Sequence, residues 1–242
     1  MNKKTGIQLQ FLGIKGWGGK RKGAGRPNLS GQVSHMKRPK IDIKAPLHIT
    51  LRLREKLPSI RNRNLFKEFK KSVKRAKSFG FYVIHFSMQS NHIHLFCEAK
   101  NNKAVALGMR ALAGGFAKHV RSYAAALATT KGLSVSRGSV FKGRYHLHIL
   151  KNPREVKNAL EYVLLNESKH RRLIEYVDPY SSGRVFQDWK KLLGYRFKYL
   201  IEADFEFFAK NQGPSLDLDA VLSPPQSWLA KRGWMREIKQ TA

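Results

Sequence analysis

The sequence predicts an α+β fold, an antiparallel or mixed sheet with helices packed on it, preceded by a basic N-terminal arm and followed by a C-terminal tail. Three observations carry that expectation. Between about residues 45 and 175, short β-type runs and longer runs of helical apolar spacing follow one another as β, α, β, β, α, β, α. Two of the β runs are joined only by Gln89-Ser90-Asn91, a hairpin spacing. Hydrophobic residues make up 42% of the 242-residue chain and aromatics 11%, enough apolar surface to offset the ordering entropy of such a core.

Each element has its own signal. From Pro46, His48-Ile49-Thr50-Leu51-Arg52-Leu53-Arg54 alternates β-formers with long polar side chains and ends at Leu57-Pro58, a half-buried strand. Asn64 to Phe79 places Leu65, Phe66, Phe69, Val73 and Ala76 at helical spacing, with Lys67, Lys70, Lys71, Lys74, Arg75 and Lys77 on the other face, and stops at Gly80. Phe81 to Met88 and His92 to Glu98 are the two arms of the hairpin. A second helix, about Lys103 to Ala128, is rich in Ala, and Gly114-Gly115 inside it predicts close packing or a kink. Val140 to Leu150 reads as a strand. The third helix starts at Asn152-Pro153, with Pro at the first helical position, and is expected to run to about Lys169. This order has ferredoxin-like character. Beyond it come the turn Asp178 to Gly183, a short helix around Trp189 to Leu193, the stretch Phe197 to Lys210, a linker over 211–227, and a helical stretch in which Trp228 and Trp234 are docking anchors. The expected organisation is therefore an arm over 1–44, a catalytic-sized domain over 45–175 and an extension over 176–242. No internal repeat appears.

Charge narrows the partner. Lys+Arg number 47 against 16 Asp+Glu, a formal charge of +31, and a compact body tolerates that self-repulsion best beside a polyanion, so nucleic acid is expected. The charge is uneven: residues 1 to 150 hold 31 Lys/Arg and four acids, Asp42, Glu55, Glu68 and Glu98. A site of several clustered carboxylates is hard to assemble there, so nuclease chemistry has to lean on His and Tyr. Residues 1 to 40 carry ten Lys/Arg, eight Gly and no acid, the composition of a flexible basic arm. Within it Lys20 to Pro27, with Arg26-Pro27, resembles an AT-hook, although Ala24 stands where the first Arg of the usual core belongs; a solvated basic tail is the alternative. The single Cys97 excludes an intramolecular disulfide framework and a cysteine zinc site, and fits a cytoplasmic, nucleoid-associated location. No run of 18 apolar residues is present, so no membrane span is expected.

Two motifs carry chemistry. His92-Ile93-His94 lies on a strand, where residues two apart point to one face, so both imidazoles can grip one ion. Tyr162 and Asn166 sit four apart on the third predicted helix and share a face there. A phenol with its free pKa of about 10 is a poor nucleophile. A divalent metal that polarises a scissile phosphate makes its attack feasible. Tyr123, Tyr145, Tyr176 and Tyr180 are rivals, but none has a metal-capable residue four positions on in so well-marked a helix.

Gln89-Ser90-Asn91-His92-Ile93-His94-Leu95 together with Leu160-Glu161-Tyr162-Val163-Leu164-Leu165-Asn166 resembles the single-tyrosine HUH transposases, particularly the REP-associated tyrosine transposases and their IS200-like relatives. The resemblance covers about residues 46 to 170, and Phe141 to His146 looks like the basic aromatic strand found between the two motifs. It implies the HUH endonuclease fold, His92, His94 and Asn166 as ligands of Mg²⁺ or Mn²⁺, and Tyr162 as the nucleophile. The implied reaction is cleavage and rejoining of hairpin-bearing single-stranded DNA through a 5′-phosphotyrosine link, by a homodimer. This sequence departs from the family at Asn166, which is followed by Glu167-Ser168 where Asn-Pro is common. Expected phosphate contacts are Lys67, Lys70, Lys71, Lys74, Lys142 and Arg144, with Arg26 from the arm. Two other readings stay open. His146-Leu147-His148 is a second same-face pair, which allows a metal-free phosphoesterase, although that family wants Ser or Thr two residues after each His. A domesticated protein of the same fold that binds DNA without cutting is the other.

Overall fold

The computed structural model describes residues 38–132, 138–166, 177–194, 196, 218 and 220–240. Its sheet has four strands, β1 (Leu47–Arg52), β2 (Phe81–Met88), β3 (His92–Ala99) and β4 (His146–Ile149), in the spatial order β2-β3-β1-β4 with every neighbouring pair antiparallel. The helices α1 (Arg63–Lys77), α2 (Asn102–Thr130) and α3 (Pro153–Leu164) alternate with them. The predicted α+β, ferredoxin-like class is therefore the one observed.

Alternation divides the strands between two cores. Leu47, Ile49 and Leu51 of β1 and Ile93, Leu95 and Cys97 of β3 point to the face covered by α1 and α2, where they pack with Phe66, Phe69, Leu112 and Phe116. The opposite face receives Phe96 and Ile84 against Val156, Leu160, Val163 and Leu164 of α3 and against Trp189 and Trp234. A bulge between Val83 and His85 sends Ile84 to that second face.

The helix ends follow from local chemistry. Asn62 caps α1 by accepting from the amides of Asn64 and Leu65, and Lys74, Arg75 and Lys77 complement the dipole in its last turn. Asn152 accepts from the Glu155 amide, while the Glu155 carboxylate returns to the Lys151 amide, fixing where α3 starts. α2 packs closely at two places: at Gly115, as expected, where an added Cβ would lie 2.8 Å from Arg75 Nη1 of α1, and at Gly108, where it would lie 2.2 Å from Phe81 Cβ of β2. The chain stays helical through Gly114-Gly115, of which Gly115 faces Ser72 and Arg75 of α1 and Gly114 faces open space.

Three further expectations are corrected. The strand anticipated over 140–150 is regular only at His146–Ile149, because Gly143 takes a left-handed turn (φ 68°). Phe141 before it makes a lone bridge to Leu53. α3 ends at Leu164, where Leu165 leaves helical geometry (φ −110°, ψ 16°), short of Lys169. The end of the predicted linker is packed: Leu218 and Leu222 are buried, the Ser223 amide donates to Val83 O, and buried Glu98 accepts the amides of Gln226 and Ser227. That carboxylate seats the helix Trp228–Lys231 and the 3₁₀ segment Gly233–Gln240, in which Trp234 is buried as an anchor while Trp228 stays exposed beside Arg236. The expected arm over 1–37, the stretch 197–210 and residues 211–217 lie outside the described residues. Among the described residues no helix is long and apolar enough to cross a membrane.

Two polar anchors hold the edge of β2. Arg61 meets buried Asp178 with two bonds of 2.8 Å, donates to Met88 O and stacks on Tyr180. Removing one partner strands the other, so Arg61→Met is expected to cost about 3–5 kcal/mol in urea unfolding; a cost below about 1 kcal/mol would mean that the pair is screened. His85, packed on Phe96 and Phe186 beside the Ser182 hydroxyl, is pushed down to about 4 by burial. The unfolded chain then takes up its proton near pH 6.5 and the folded chain only near 4, so stability present above pH 6.5 is lost as pH falls toward 4. That loss amounts to at most about 3 kcal/mol. The stability of wild type minus that of His85→Phe, from unfolding at pH 7 and pH 4, should fall with acid; a constant difference would contradict it.

Candidate active site

The β1–β3 register builds the site. Thr50 stands opposite His94, Arg52 opposite His92, and His48 opposite Phe96, all on the sheet face that α3 covers. On the far side of β1, His146 is opposite Thr50 and His148 opposite His48. Three strands thus bring five histidines to one face.

Four rings gather at its centre. The His92 and His94 centroids are 4.7 Å apart and perpendicular, Tyr162 meets His94 edge-on at 4.9 Å, and His48 lies 5.3 Å from His94 and 5.7 Å from Tyr162. His94 is 4% exposed, His92 is half-buried and Tyr162 keeps 38% of its surface open, so the phenol and His92 lie outward of a buried His94. His92 Nδ1 is 2.7 Å from Asn91 Oδ1, and His94 Nδ1 is 3.1 Å from Thr50 Oγ1 and 3.2 Å from His48 Nε2. Burial, with the nearby His146 and His148, pushes His48 down to about 4, so it is neutral at neutral pH.

The predicted residues are only partly brought together. His92, His94 and Tyr162 converge. Asn166 lies past the end of α3, so the regular i, i+4 relation to Tyr162 is not kept; its side chain is buried, and neither Oδ1 nor Nδ2 has a hydrogen-bond partner among the described residues. An amide oxygen taken from water without replacement is suited to a hard cation. Among the described residues no three His, Cys, Asp or Glu side chains gather for a metal ion, so a three-point site needs a ligand of another type. Imidazole and amide are donors of the kinds that a divalent ion takes.

The rival tyrosines are committed elsewhere. Tyr145 stacks on Arg38 at 4.0 Å, Tyr180 on Arg61 at 4.7 Å, and Tyr123 packs against the core under α2; Tyr176 lies outside the described residues. His146 and His148 are exposed, His148 Nε2 is 3.5 Å from Glu155 Oε2, and β1 separates this pair from His92 and His94. Two strand spacings are about 10 Å, too far for the two pairs to act as acid and base on one phosphate without movement.

The basic residues fall into two groups. Lys67, Lys70, Lys71 and Lys74 line α1, on the sheet face away from Tyr162, with Lys71 held 2.7 Å from Glu68. Lys142 and Arg144 lie beside the end of β1, where the Lys142 amide donates to Arg52 O and the Lys142 ammonium pairs with Glu55. Arg26 lies outside the described residues. Sequence reasoning missed His48 and Thr50. Their signal was present as His48-Ile49-Thr50, the same two-residue period as the recognised pair, but it acquires meaning only when β1 is placed beside β3.

A family model described as "Transposase IS200 like" matches residues 43–166, which contain the four strands, the three helices and every residue of this cluster. The chain belongs to the IS200-like transposase family. It is thus a transposase, an enzyme acting on DNA. No curated protein sequence matches it. Among solved structures, a REP-associated tyrosine transposase bound to a REP hairpin is similar over 57% of this chain and 74% of its own, at 16% identity and a TM-score of 0.41. A transposase candidate from Deinococcus radiodurans R1 is similar over 57% and 98%, at 13% identity and a TM-score of 0.36.

Within this transposase the buried amide of Asn166 makes a test of its own. Asn166→Leu should raise the unfolding free energy of the metal-free protein by about 1–3 kcal/mol in urea titration. An equal loss would show that the amide is bonded within the fold.

Proposed function

We propose that this transposase cuts and rejoins single-stranded DNA, with Tyr162 as nucleophile and with His92, His94 and Asn166 as ligands of Mg²⁺ or Mn²⁺. The observation that carries this is the meeting of the α3 phenol with the β3 imidazole pair, 4.9 Å between the exposed Tyr162 and the buried His94 rings. The bound ion would draw charge from a scissile-phosphate oxygen, a task to which imidazole and amide ligands are suited.

The protein's own residues do the rest. Tyr162 attacks phosphorus, forming the Tyr–O–P bond as the P–O3′ bond breaks, so the phenol loses one proton and the departing 3′ oxygen gains one. The product is a 5′-phosphotyrosine link and a free 3′-OH, and the reverse step onto a second end rejoins the strand. Lys142 and Arg144, beside the end of β1 that carries Arg52, hold the strand near the site. The α1 lysines, across the sheet, engage DNA away from the cut. The substrate is a hairpin-bearing single strand and the working form a homodimer, as the family resemblance implies. Residues 45–175 are the catalytic domain, 1–44 a basic DNA-binding arm that includes Arg26, and 176–242 an extension that braces α3.

A labelled hairpin-bearing single strand with Mn²⁺ should yield a denaturant-resistant adduct that mass spectrometry maps to Tyr162. Tyr162→Phe should abolish the adduct while leaving hairpin binding within about twofold, and His92→Ala should lose the metal-dependent rate. An adduct that survives in Tyr162→Phe would point to another nucleophile, and tight binding with no adduct in wild type would favour a non-cutting DNA-binding protein.

A further inference from the structure

We infer that Thr50 and His48 are positioning residues that hold His94 in the ring tautomer a metal needs; the inference rests on the proposed role of His94 as a ligand. A neutral imidazole carries one proton and one lone pair, and a cation takes the lone pair, so whichever nitrogen is protonated is lost to the metal. The neighbours of the ring decide which one that is.

β1 supplies both neighbours. Thr50 is directly opposite His94 in the antiparallel pair, and His48, two residues earlier on β1, is its diagonal neighbour on the same face. Both reach the same atom: His94 Nδ1 lies 3.1 Å from Thr50 Oγ1 and 3.2 Å from His48 Nε2. With the proton on Nδ1, the N–H is forked between a hydroxyl oxygen and an imidazole lone pair, and the lone pair of His94 falls on Nε2. His48 then keeps its own proton on Nδ1. The opposite assignment would put the His94 proton on Nε2 and leave one lone pair on Nδ1 for two possible donors, the Thr50 hydroxyl and His48 Nε2–H, so only one of the two contacts would be a good hydrogen bond, whereas the proton on Nδ1 uses both.

His92 obeys the same rule by a separate route. Its Nδ1 is 2.7 Å from Asn91 Oδ1, an oxygen that only accepts, so His92 also bears its proton on Nδ1 and its lone pair on Nε2. The two histidines therefore share one tautomer. It is set by Asn91, Thr50 and His48, whose bonds run to the ring nitrogens turned away from ligation, the arrangement by which neighbours orient metal-binding imidazoles.

The test uses the full-length protein with ¹⁵N-labelled histidine. In the metal-free wild type, long-range ¹H–¹⁵N spectra should show His94 protonated at Nδ1; protonation at Nε2 would overturn the proposal before any variant is made. Thr50→Val deletes the hydroxyl at nearly constant shape, and His48→Phe keeps a ring but deletes the acceptor. Each should shift His94 toward the other tautomer and weaken Mn²⁺ binding, followed by calorimetry, about 10–100-fold. Thr50→Ser and His48→Gln should restore both. Folded Val and Phe variants with an unchanged His94 tautomer and Mn²⁺ affinity within about twofold of wild type would overturn it. Should Mn²⁺ leave the wild-type His94 resonances unbroadened, the ligand role itself fails, while the tautomer shift in Thr50→Val still reports on the positioning.

Discussion

The site depends on one constraint, the register in which β3 lies between β1 and β2. Side chains alternate along a strand, so a slip of one residue would drive His92 and His94 into the apolar layer under α1 and α2 and turn Ile93 and Leu95 toward α3. The apolar set on the other face forbids that slip. Ile49, Leu51, Ile93 and Leu95 are all fully or almost fully buried against α1 and α2, and several kcal/mol of transfer free energy oppose moving them. The imidazoles are thus aimed by the hydrophobic residues between them.

The proposed nucleophile, carried on a helix, must also be held at the right height over the sheet. α3 sits on that face through Val156, Leu160, Val163 and Leu164, and the chain beyond it returns to pack on the same cluster with Trp189 and Trp234. Polar anchors fix this return path: Asp178 binds Arg61 at the entry to α1, and Glu98, on the same face of β3 as His92 and His94, holds the amides of Gln226 and Ser227. The strand that carries the imidazoles therefore also anchors the segment that braces the tyrosine helix, so the two halves of the cluster share one support.

The charge follows the same division. The first 150 residues contain the large basic excess, yet the carboxylates among them are spent structurally: Glu98 caps a helix inside the protein, while Glu55 and Glu68 pair with Lys142 and Lys71. No carboxylate of that region is placed among the four rings, which agrees with the expectation that chemistry here falls to His and Tyr. The basic stripe of α1 lies on the helical layer, while Lys142 and Arg144 lie in the bend beside the end of β1, so the basic residues are divided between two places.

Much of this was legible in the sequence, because it is encoded locally. The Asn152-Pro153 start of α3, the periodicity of α1, the three-residue hairpin and the His-Ile-His spacing are properties of short stretches, and each appears in the structure close to its expected place. What failed were features set by partners distant in the chain. Beside the expected close contact at Gly115 lies a tighter one that the sequence did not signal, Gly108 against Phe81 of β2. Leu218 to Ser227 looked like a linker because its prolines hide the fact that β2 and Glu98 have backbone groups to satisfy. His48 and Thr50 looked like ordinary strand residues because only pairing β1 with β3 sets them against His94. The sequence by itself determined the kinds of element, their order and the chemical types available, since propensity and patterning act over a few residues. Tertiary structure alone decided which imidazoles meet the phenol and what surrounds them, because strand register is fixed by packing across the whole sheet.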